Sequence, residues 1–246
     1  MKKTILIVDV GNTNTVFSVF KDNKPIINWR IATNINRTSD EYIAWLNNII
    51  NNDFENNHLI NDIIIGSVVP AVIFELKRAF FEKFNIESKV IGEDIKVNIQ
   101  TSVDNPKEVG FDRLVNALAA WKKFNRSSIV IDFGTATTFD IIDFEGKYIG
   151  GVIAPGINLS LEALHTAAAK LPRIAIERPK SIIGTNTVTA MQSGVYWGYV
   201  SLVEGIIDKI LLETKQPMKI IATGGLAKMF SLGTQVIEKV DMDLTI

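Results

Sequence analysis

The strongest constraint on the fold of this chain is a short pattern that occurs in both halves of the sequence. An apolar run at residues 5–8 leads into Asp9 and then into glycine and small polar residues, and a second β-branched run follows at hairpin spacing. Residues 129–131 lead in the same way into Asp132. Because the two aspartates are half of the 246-residue chain apart, two similar lobes are favoured over unrelated hairpins with ordinary Asx turns.

Each of these turns combines chemical groups that bind phosphate together with a cation. Gly11 permits close backbone approach because it has no Cβ, and backbone N–H groups on such a turn can form an anion-binding nest. Asp9 can hold a cation beside that anion. The turns therefore predict a site for phosphate with a divalent metal.

Composition narrows the class of protein. The chain is 47% hydrophobic and 22% charged with a net charge of −1, which is ordinary for a globular protein and indicates neither nucleic acid nor an anionic membrane as partner. It has no cysteine, which excludes thiolate nucleophiles and cysteine-based zinc sites. The apolar run at the N-terminus is too short for a signal peptide or a membrane span. We therefore expect a cytoplasmic protein.

Hydrophobic periodicity predicts a similar succession of elements in the two halves. In the first half, strands are predicted at 5–8, 15–20, 25–32, 63–69 and 89–91, and helices from the capping box at 38–41 to 50 and at 72–84, with a polar loop at 51–57. In the second half, strands are predicted at 128–133, 138–143, 147–153 and 219–223, and helices at 158–169, 187–213 and 226–230.

These βββαβαβ-type halves predict an α/β protein with two similar lobes. We assign residues 1–114 to an N-terminal lobe with the first phosphate turn. Residues 115–246 form a C-terminal lobe with the second turn and the long helix. A ligand is expected in a cleft between the lobes, near the carboxyl ends of the strands.

Asp112 and Arg113 lie between the halves, near a helix start that Pro106 favours. As neighbours on a helix they point about a hundred degrees apart. One interpretation is an exposed acid at a helix start beside a surface arginine. The other is a carboxylate that accepts a proton, beside a guanidinium that binds a substrate anion. The residues alone leave both interpretations open.

The helix predicted at 187–213 carries more apolar side chains than one core-facing stripe requires. They are Val195, Tyr196, Trp197, Val200, Leu202, Val203, Ile206, Ile207 and Ile210. Burial in the core and a subunit interface both account for this surplus.

A set of short motifs, in order along nearly the whole chain, resembles those of type III pantothenate kinases. These belong to the acetate-kinase, hexokinase and actin-like superfamily of phosphotransferases. The motifs are Asp9–Thr13, Gly110–Arg113, Asp132–Thr135 with Thr137 and Asp140, Gly150–Gly156, Gly184–Thr187 with Ala190 and Gly194, and Thr223–Gly225. The resemblance implies ribonuclease H-like lobes and ATP-dependent phosphorylation of pantothenate to 4'-phosphopantothenate, the first step of coenzyme A biosynthesis. It also implies a homodimer.

The resemblance assigns the nucleotide and cation contacts. The implied ATP contacts are Asp9, Val10, Gly11, Asn12, Thr13, Asn14, Thr15, Val16, Thr135, Gly224 and Gly225. Asp9 would also lie near Mg²⁺, and Gly224 and Gly225 match the turn on the adenosine side. Asp132 matches the position that holds a monovalent cation, K⁺ or NH₄⁺.

The resemblance also assigns the pantothenate site. Asp112 is implied to be the general base on the pantothenate hydroxyl. The implied substrate contacts are Val103, Gly110, Phe111, Asp112 and Arg113, with Thr187 contributed in the dimer.

Val103 departs from the family pattern, in which a tyrosine usually stands seven positions before Gly110. Loss of the ring and hydroxyl would weaken one wall of the pantothenate site. A second hypothesis is therefore a non-catalytic, nucleotide-binding regulatory relative. Retention of Asp9, Asp112 and Asp132 together favours the kinase, because a binding module needs no base. A sugar or acetate kinase of the superfamily is a third hypothesis, disfavoured by the chain length and by the Gly110–Arg113 segment.

Overall fold

The computed structural model describes residues 3–22, 24–53, 60–167 and 171–246. These residues form two compact units. The first contains the described residues up to Asn98 together with Val109–Val115 and Thr245–Ile246. The second contains Ile99–Glu108 and Asn116–Leu244.

The first unit is a mixed five-stranded sheet with two helices. Its elements are β1 (Thr4–Val10), β2 (Asn14–Lys21), β3 (Lys24–Ala32), α1 (Ser39–Asp53), β4 (Asp62–Ser67), α2 (Ile73–Phe84) and β5 (Lys89–Val90). The strand order is β3-β2-β1-β4-β5. β1, β2 and β3 are antiparallel neighbours, whereas β4 is parallel to both β1 and β5.

Alternation along β1 explains how this sheet is covered. Leu6, Val8 and Val10 are buried, and the residues between them are half-buried, as the period of two in a strand requires. The buried face packs against α1 and α2 through residues such as Leu46 and Phe80. Asp9 therefore lies on the less buried face, opposite the core.

A capping box starts α1 as predicted. The Thr38 N–H donates to Glu41 Oε2 at 2.8 Å, and the Glu41 N–H donates to Thr38 Oγ1 at 3.3 Å. The Ser39 N–H donates to Glu75 Oε2 at 2.7 Å, which ties α1 to α2. These bonds satisfy N–H groups that a helix start leaves without intrahelical partners.

The second unit repeats the strand arrangement and contains most of one helix and three complete ones. Its elements are most of α3 (Phe111–Phe124), β6 (Ser128–Phe133), β7 (Ala136–Ile142), β8 (Tyr148–Pro155), α4 (Ile157–Ala167), α5 (Thr187–Thr214), β9 (Lys219–Thr223), α6 (Ala227–Ser231) and β10 (Lys239–Val240). The strand order β8-β7-β6-β9-β10 has the same pattern of antiparallel and parallel neighbours as the first sheet. The predicted α/β class with two similar units is confirmed.

α5 supplies the main helical part of the second core. The Asn186 side chain accepts a hydrogen bond from the Thr189 N–H and forms a capping box with that residue. Tyr196, Val203 and Ile207 are buried against the sheet together with Phe230 of α6. Among the described residues, no helix has both the length and the apolar character needed to cross a membrane.

Several predicted boundaries were wrong. α1 continues to Asp53, beyond the predicted end at residue 50, because the low helix propensity of asparagine weakens a helix end without stopping the helix there. The rest of the predicted loop at 51–57, residues 54–57, lies outside the described residues. β7 begins at Ala136 and β8 ends at Pro155 because these two residues pair.

Candidate active site

The first turn closes between β1 and β2. Val10 pairs with Thr15, and the Gly11 N–H donates to the Asn14 carbonyl at 3.0 Å. Asn12 and Thr13, at the tip, are exposed, and Asp9 just before the turn is half-buried. The turn therefore presents backbone and small polar groups to solvent beside one carboxylate.

Thr33, which the sequence analysis did not identify, lies directly after β3 and donates hydrogen bonds to this turn. Its N–H donates to the Thr13 carbonyl at 3.0 Å, and its hydroxyl donates to the Gly11 carbonyl at 2.7 Å. The Thr33 Oγ1 also lies 2.9 Å from the Oγ1 of Thr15, which is fully buried. The sequence did offer one indication of this role. Thr33 is a polar, β-branched residue that directly follows β3, and β3 pairs with β2, the strand after the turn.

The segment that contains Asp112 meets the same unit through Phe111. A Cβ placed on Gly66 of β4 would lie 2.4 Å from Cε2 of Phe111, so the ring lies directly against that glycine. Gly66 pairs in register with Asp9 of β1. The start of α3 thus lies at the carboxyl end of β4, next to the register partner of Asp9.

Asp112 lies in the first turn of α3. Its Oδ1 accepts a hydrogen bond from the Arg113 N–H at 2.9 Å, and a Cβ on Gly110 would lie 2.5 Å from the same oxygen. Asp112 is half-buried. The partial positive charge of a helix N-terminus favours a carboxylate at this position.

The second turn follows β6. Phe133 pairs with Thr137, and the Gly134 N–H donates to the Ala136 carbonyl at 3.1 Å, so this turn is one residue shorter than the first. Gly134 and Thr135 are exposed. A Cβ on Gly156 would lie 2.1 Å from the Thr135 carbonyl oxygen. Glycine is therefore required where β8 leads into α4.

The carboxylate of Asp132 is contacted from two sides within the second unit. Its Oδ2 accepts a hydrogen bond from Nδ2 of the buried Asn116 at 3.3 Å. On the other side is Gly224, which has φ +88°. A Cβ added to Gly224 would lie only 2.4 Å from Asp132 Oδ1. Asp132 also pairs in register with Thr223. The predicted cation ligand and the predicted nucleotide turn at Gly224 are thus direct neighbours.

Tyr199 of α5 holds the second turn to the helix behind it. Its hydroxyl donates to the Pro155 carbonyl at 2.9 Å and forms a short hydrogen bond with Thr137 Oγ1. Burial raises the pKa of the Tyr199 phenol, and the bond to Thr137 offsets part of that rise. The phenol is therefore protonated and donates its proton in a hydrogen bond to the Pro155 carbonyl. In the bond with Thr137, the Thr137 hydroxyl is then the donor.

The remaining predicted substrate contacts belong to the second unit. Val103 is half-buried in a bend that follows a pairing of residues 100–102 with Tyr148. Thr187 is exposed at the first position of α5. The structure groups the Gly110–Arg113 segment near Asp9 in the first unit, whereas Val103 and Thr187 lie in other segments.

The donor set suits a metal that is held partly by phosphate. Across 3–22, 24–53, 60–167 and 171–246, no group of three or more histidine, cysteine or carboxylate residues could by itself hold a metal ion. Mg²⁺ in phosphotransferases is commonly bound by one or two carboxylates plus substrate phosphates and water. Asp9, half-buried beside an exposed turn, fits that pattern.

Solved structures of other proteins share this fold. Component A of the (R)-2-hydroxyglutaryl-CoA dehydratase of Acidaminococcus fermentans aligns with a TM-score of 0.53 at 14% identity, over 96% of this chain and 91% of that chain. The ethanolamine utilization protein EutJ of Carboxydothermus hydrogenoformans aligns with a TM-score of 0.52 at 16% identity, over 96% and 84%. The two repeated units and these neighbours define a protein of the actin- and hexokinase-like fold class.

Sequence similarity identifies the family within this class. The family model for type III pantothenate kinase matches residues 5–209. The type III pantothenate kinase of Caulobacter vibrioides is 49% identical over 244 residues, covering 98% of this chain and 94% of the relative. That of Rhodospirillum rubrum is 50% identical over 243 residues, covering 98% and 95%. The chain belongs to the type III pantothenate kinase family, which confirms the predicted resemblance.

Proposed function

We propose that this protein transfers the γ-phosphoryl group of ATP to the hydroxyl of pantothenate in the cytoplasm, where ATP is available, giving 4'-phosphopantothenate in the first step of coenzyme A biosynthesis. The observation that carries the proposal is the contact of Phe111 with Gly66 in a chain of this family. Through that contact the carboxylate segment at Asp112 lies beside the strand that carries Asp9.

The first turn is the proposed site for the ATP phosphates. The residues from Asp9 to Val16 supply backbone N–H groups and small polar side chains, and Asn12 and Thr13 are exposed to a ligand. Asp9 is the proposed protein ligand of Mg²⁺. When bound, the cation neutralises negative charge on the phosphate oxygens.

Asp112 is the proposed general base. Its carboxylate accepts the proton of the pantothenate hydroxyl while the hydroxyl oxygen forms its bond to the γ-phosphorus and the bond to the ADP oxygen breaks. A primary alcohol is too weak an acid to ionise at neutral pH, so the proton moves late, as charge develops on the oxygen. Asp112 can serve because it is half-buried in the first turn of α3, within the Gly110–Arg113 segment that is proposed to bind pantothenate.

Pantothenate is proposed to bind along the Gly110–Arg113 segment. The Arg113 guanidinium suits the carboxylate of the substrate because it offers planar, paired donors. Phe111 supplies an apolar surface whose position Gly66 fixes. Val103 and Thr187 are the further proposed contacts, Thr187 across a dimer.

The second unit is proposed to hold a monovalent cation and the rest of the nucleotide. Asp132 is the proposed ligand of K⁺ or NH₄⁺, with its carboxylate oriented by Asn116. Thr135, Gly224 and Gly225 are the proposed further ATP contacts. Carboxylates that share a site with phosphates repel them unless cations are bound, which gives a chemical reason for a cation at Asp132.

We propose a homodimer formed through α5. Gly194, Trp197 and Gly198 of this helix line a depression of about 430 Å³ together with Ile182 and neighbouring small residues. Ile183, in the segment before the helix, has 76% of its surface exposed. A second copy of α5 would cover this apolar surface. Gly198→Glu would place a charge in the depression and should give monomers in sedimentation equilibrium.

The test of the function is ADP release from the purified protein with ATP and Mg²⁺, with and without pantothenate, in potassium, ammonium and sodium buffers. The proposal expects release that depends on pantothenate and requires potassium or ammonium. ATP binding without release in any buffer would instead favour the regulatory relative, whose supporting feature is Val103.

A further inference from the structure

We propose that Thr33 is a positioning residue that sets the anion-binding conformation of the first turn. The proposal rests on the proposed function, because it assumes that this turn receives the ATP phosphates. Thr33 lies just beyond β3, outside the turn itself, and none of the family motifs in the sequence includes it.

Thr33 donates hydrogen bonds to two alternate carbonyl groups of the turn. Its hydroxyl donates to the Gly11 carbonyl at 2.7 Å, and its N–H donates to the Thr13 carbonyl at 3.0 Å. Since the Thr33 hydroxyl proton is used on Gly11, the contact of 2.9 Å with Thr15 Oγ1 has Thr15 as the donor. Both hydroxyls are thereby fixed in orientation.

The consequence follows from the geometry of the peptide bond. All described peptide bonds are trans, and in a trans peptide the C=O and the next N–H point in opposite directions. A Gly11 carbonyl that points to Thr33 therefore directs the Asn12 N–H away from Thr33. The Thr13 carbonyl fixes the Asn14 N–H in the same way. The N–H groups of Asn12 and Asn14 therefore both point away from Thr33. Backbone N–H groups that point to the same side form the kind of concave nest that binds an anion.

The hydroxyl and the N–H of Thr33 can be separated by mutation. Thr33→Val keeps the shape and the N–H but removes the hydroxyl, and with it both the bond to Gly11 and the bond from Thr15. Thr33→Ser keeps the hydroxyl. Ser128→Ala is a matched control, because it removes a hydroxyl bond to a backbone carbonyl, that of Arg126 at 2.9 Å, in the second unit.

The experiment is calorimetric titration of each variant with Mg²⁺ and a non-hydrolysable ATP analogue, together with KM values for ATP and pantothenate. Loss of one hydrogen bond of about 1 kcal/mol corresponds to a weakening of about fivefold. We expect that weakening in Thr33→Val for the analogue and for the KM of ATP, with the pantothenate KM within about twofold of wild type. Thr33→Ser should recover analogue affinity, and Ser128→Ala should keep it.

Wild-type analogue affinity in Thr33→Val would overturn the proposal. Equal losses of affinity in Thr33→Val and Ser128→Ala would also overturn it, because they would indicate a general effect on stability. The analogue titration measures binding and does not depend on turnover. A wild-type protein that binds the analogue but releases no ADP would therefore count against the proposed function, while the effect of Thr33 on analogue affinity could still be measured.

Discussion

The ring of Phe111 lies directly against Gly66, at a distance that leaves no room for a side chain on the glycine. Gly66 is the register partner of Asp9 on the neighbouring parallel strand. One glycine therefore links the proposed phosphate strand to the start of the helix that carries the proposed base.

Gly66→Ala should displace Phe111 and impair the pantothenate site. The added Cβ would lie 2.4 Å from the ring, and overpacking of this kind typically costs about 1–3 kcal/mol. We expect kcat/KM for pantothenate to fall by about tenfold or more, measured by steady-state kinetics. Adding Phe111→Leu should recover part of the lost unfolding free energy, since the smaller side chain makes room. An unperturbed Gly66→Ala enzyme would show that the contact does not position the segment.

Asp112→Asn should abolish most turnover and leave nucleotide binding intact. Asparagine keeps the oxygen that accepts the Arg113 N–H but cannot accept the substrate proton. Loss of a general base typically lowers the rate by about 10²–10⁴-fold. Single-turnover kinetics and ATP-analogue titration measure the two properties separately. Turnover near the wild-type rate would show that Asp112 is not the base.

Asp132→Ala should flatten the dependence of the rate on potassium. The variant removes the carboxylate that Asn116 orients and on which the proposed cation binds. Rates measured across a potassium series test this directly. Glu145→Ala, which removes an exposed carboxylate of the same unit, serves as the control and should keep the wild-type response. A normal potassium response in Asp132→Ala would remove the cation role.

Val103→Tyr should lower the KM for pantothenate by restoring the ring and hydroxyl that the family usually has at this position. Val103 is half-buried in a bend. Val103→Phe separates the two contributions, because it restores the ring without the hydroxyl. A pantothenate KM that does not fall in either variant would mean that other side chains already complete this wall.

Gly224→Ala should reduce both stability and ATP affinity, whereas Gly225→Ala should change stability little. Gly224 has φ +88°, and its Cβ would lie 2.4 Å from Oδ1 of Asp132. At Gly225 a Cβ meets nothing within 4 Å. A side chain in the left-handed region costs roughly 1–2 kcal/mol before any clash. Thermal unfolding of both variants gives the comparison, and equal melting temperatures would contradict the prediction.

Much of the fold was predictable because its signals are local. Apolar alternation, the turn glycines and the capping box at Thr38 depend on residues within a few positions of one another. These signals predicted two similar units, and the repeated strand order confirms them. β10, Lys239–Val240, was not predicted, because it is a two-residue strand between the charged residues Glu238 and Asp241 and shows no apolar run.

The candidate site was predicted as a set of motifs and not as a set of contacts. The sequence by itself determined that Asp9 and Asp132 each end an apolar strand before a turn rich in small residues. It also determined, through the ordered motifs, the family to which the chain belongs. Both conclusions follow from residue types and their order along the chain.

Only the tertiary structure decided which residues support those turns. Thr33 reaches Gly11 because β3 pairs with β2, and Phe111 meets Gly66 because α3 packs at the end of β4. Asn116 reaches Asp132 from a helix. These partners are set by strand register and helix packing, which join residues that are far apart in the sequence. A pattern of residues that are close together in the sequence therefore does not indicate which distant residue each of them will contact.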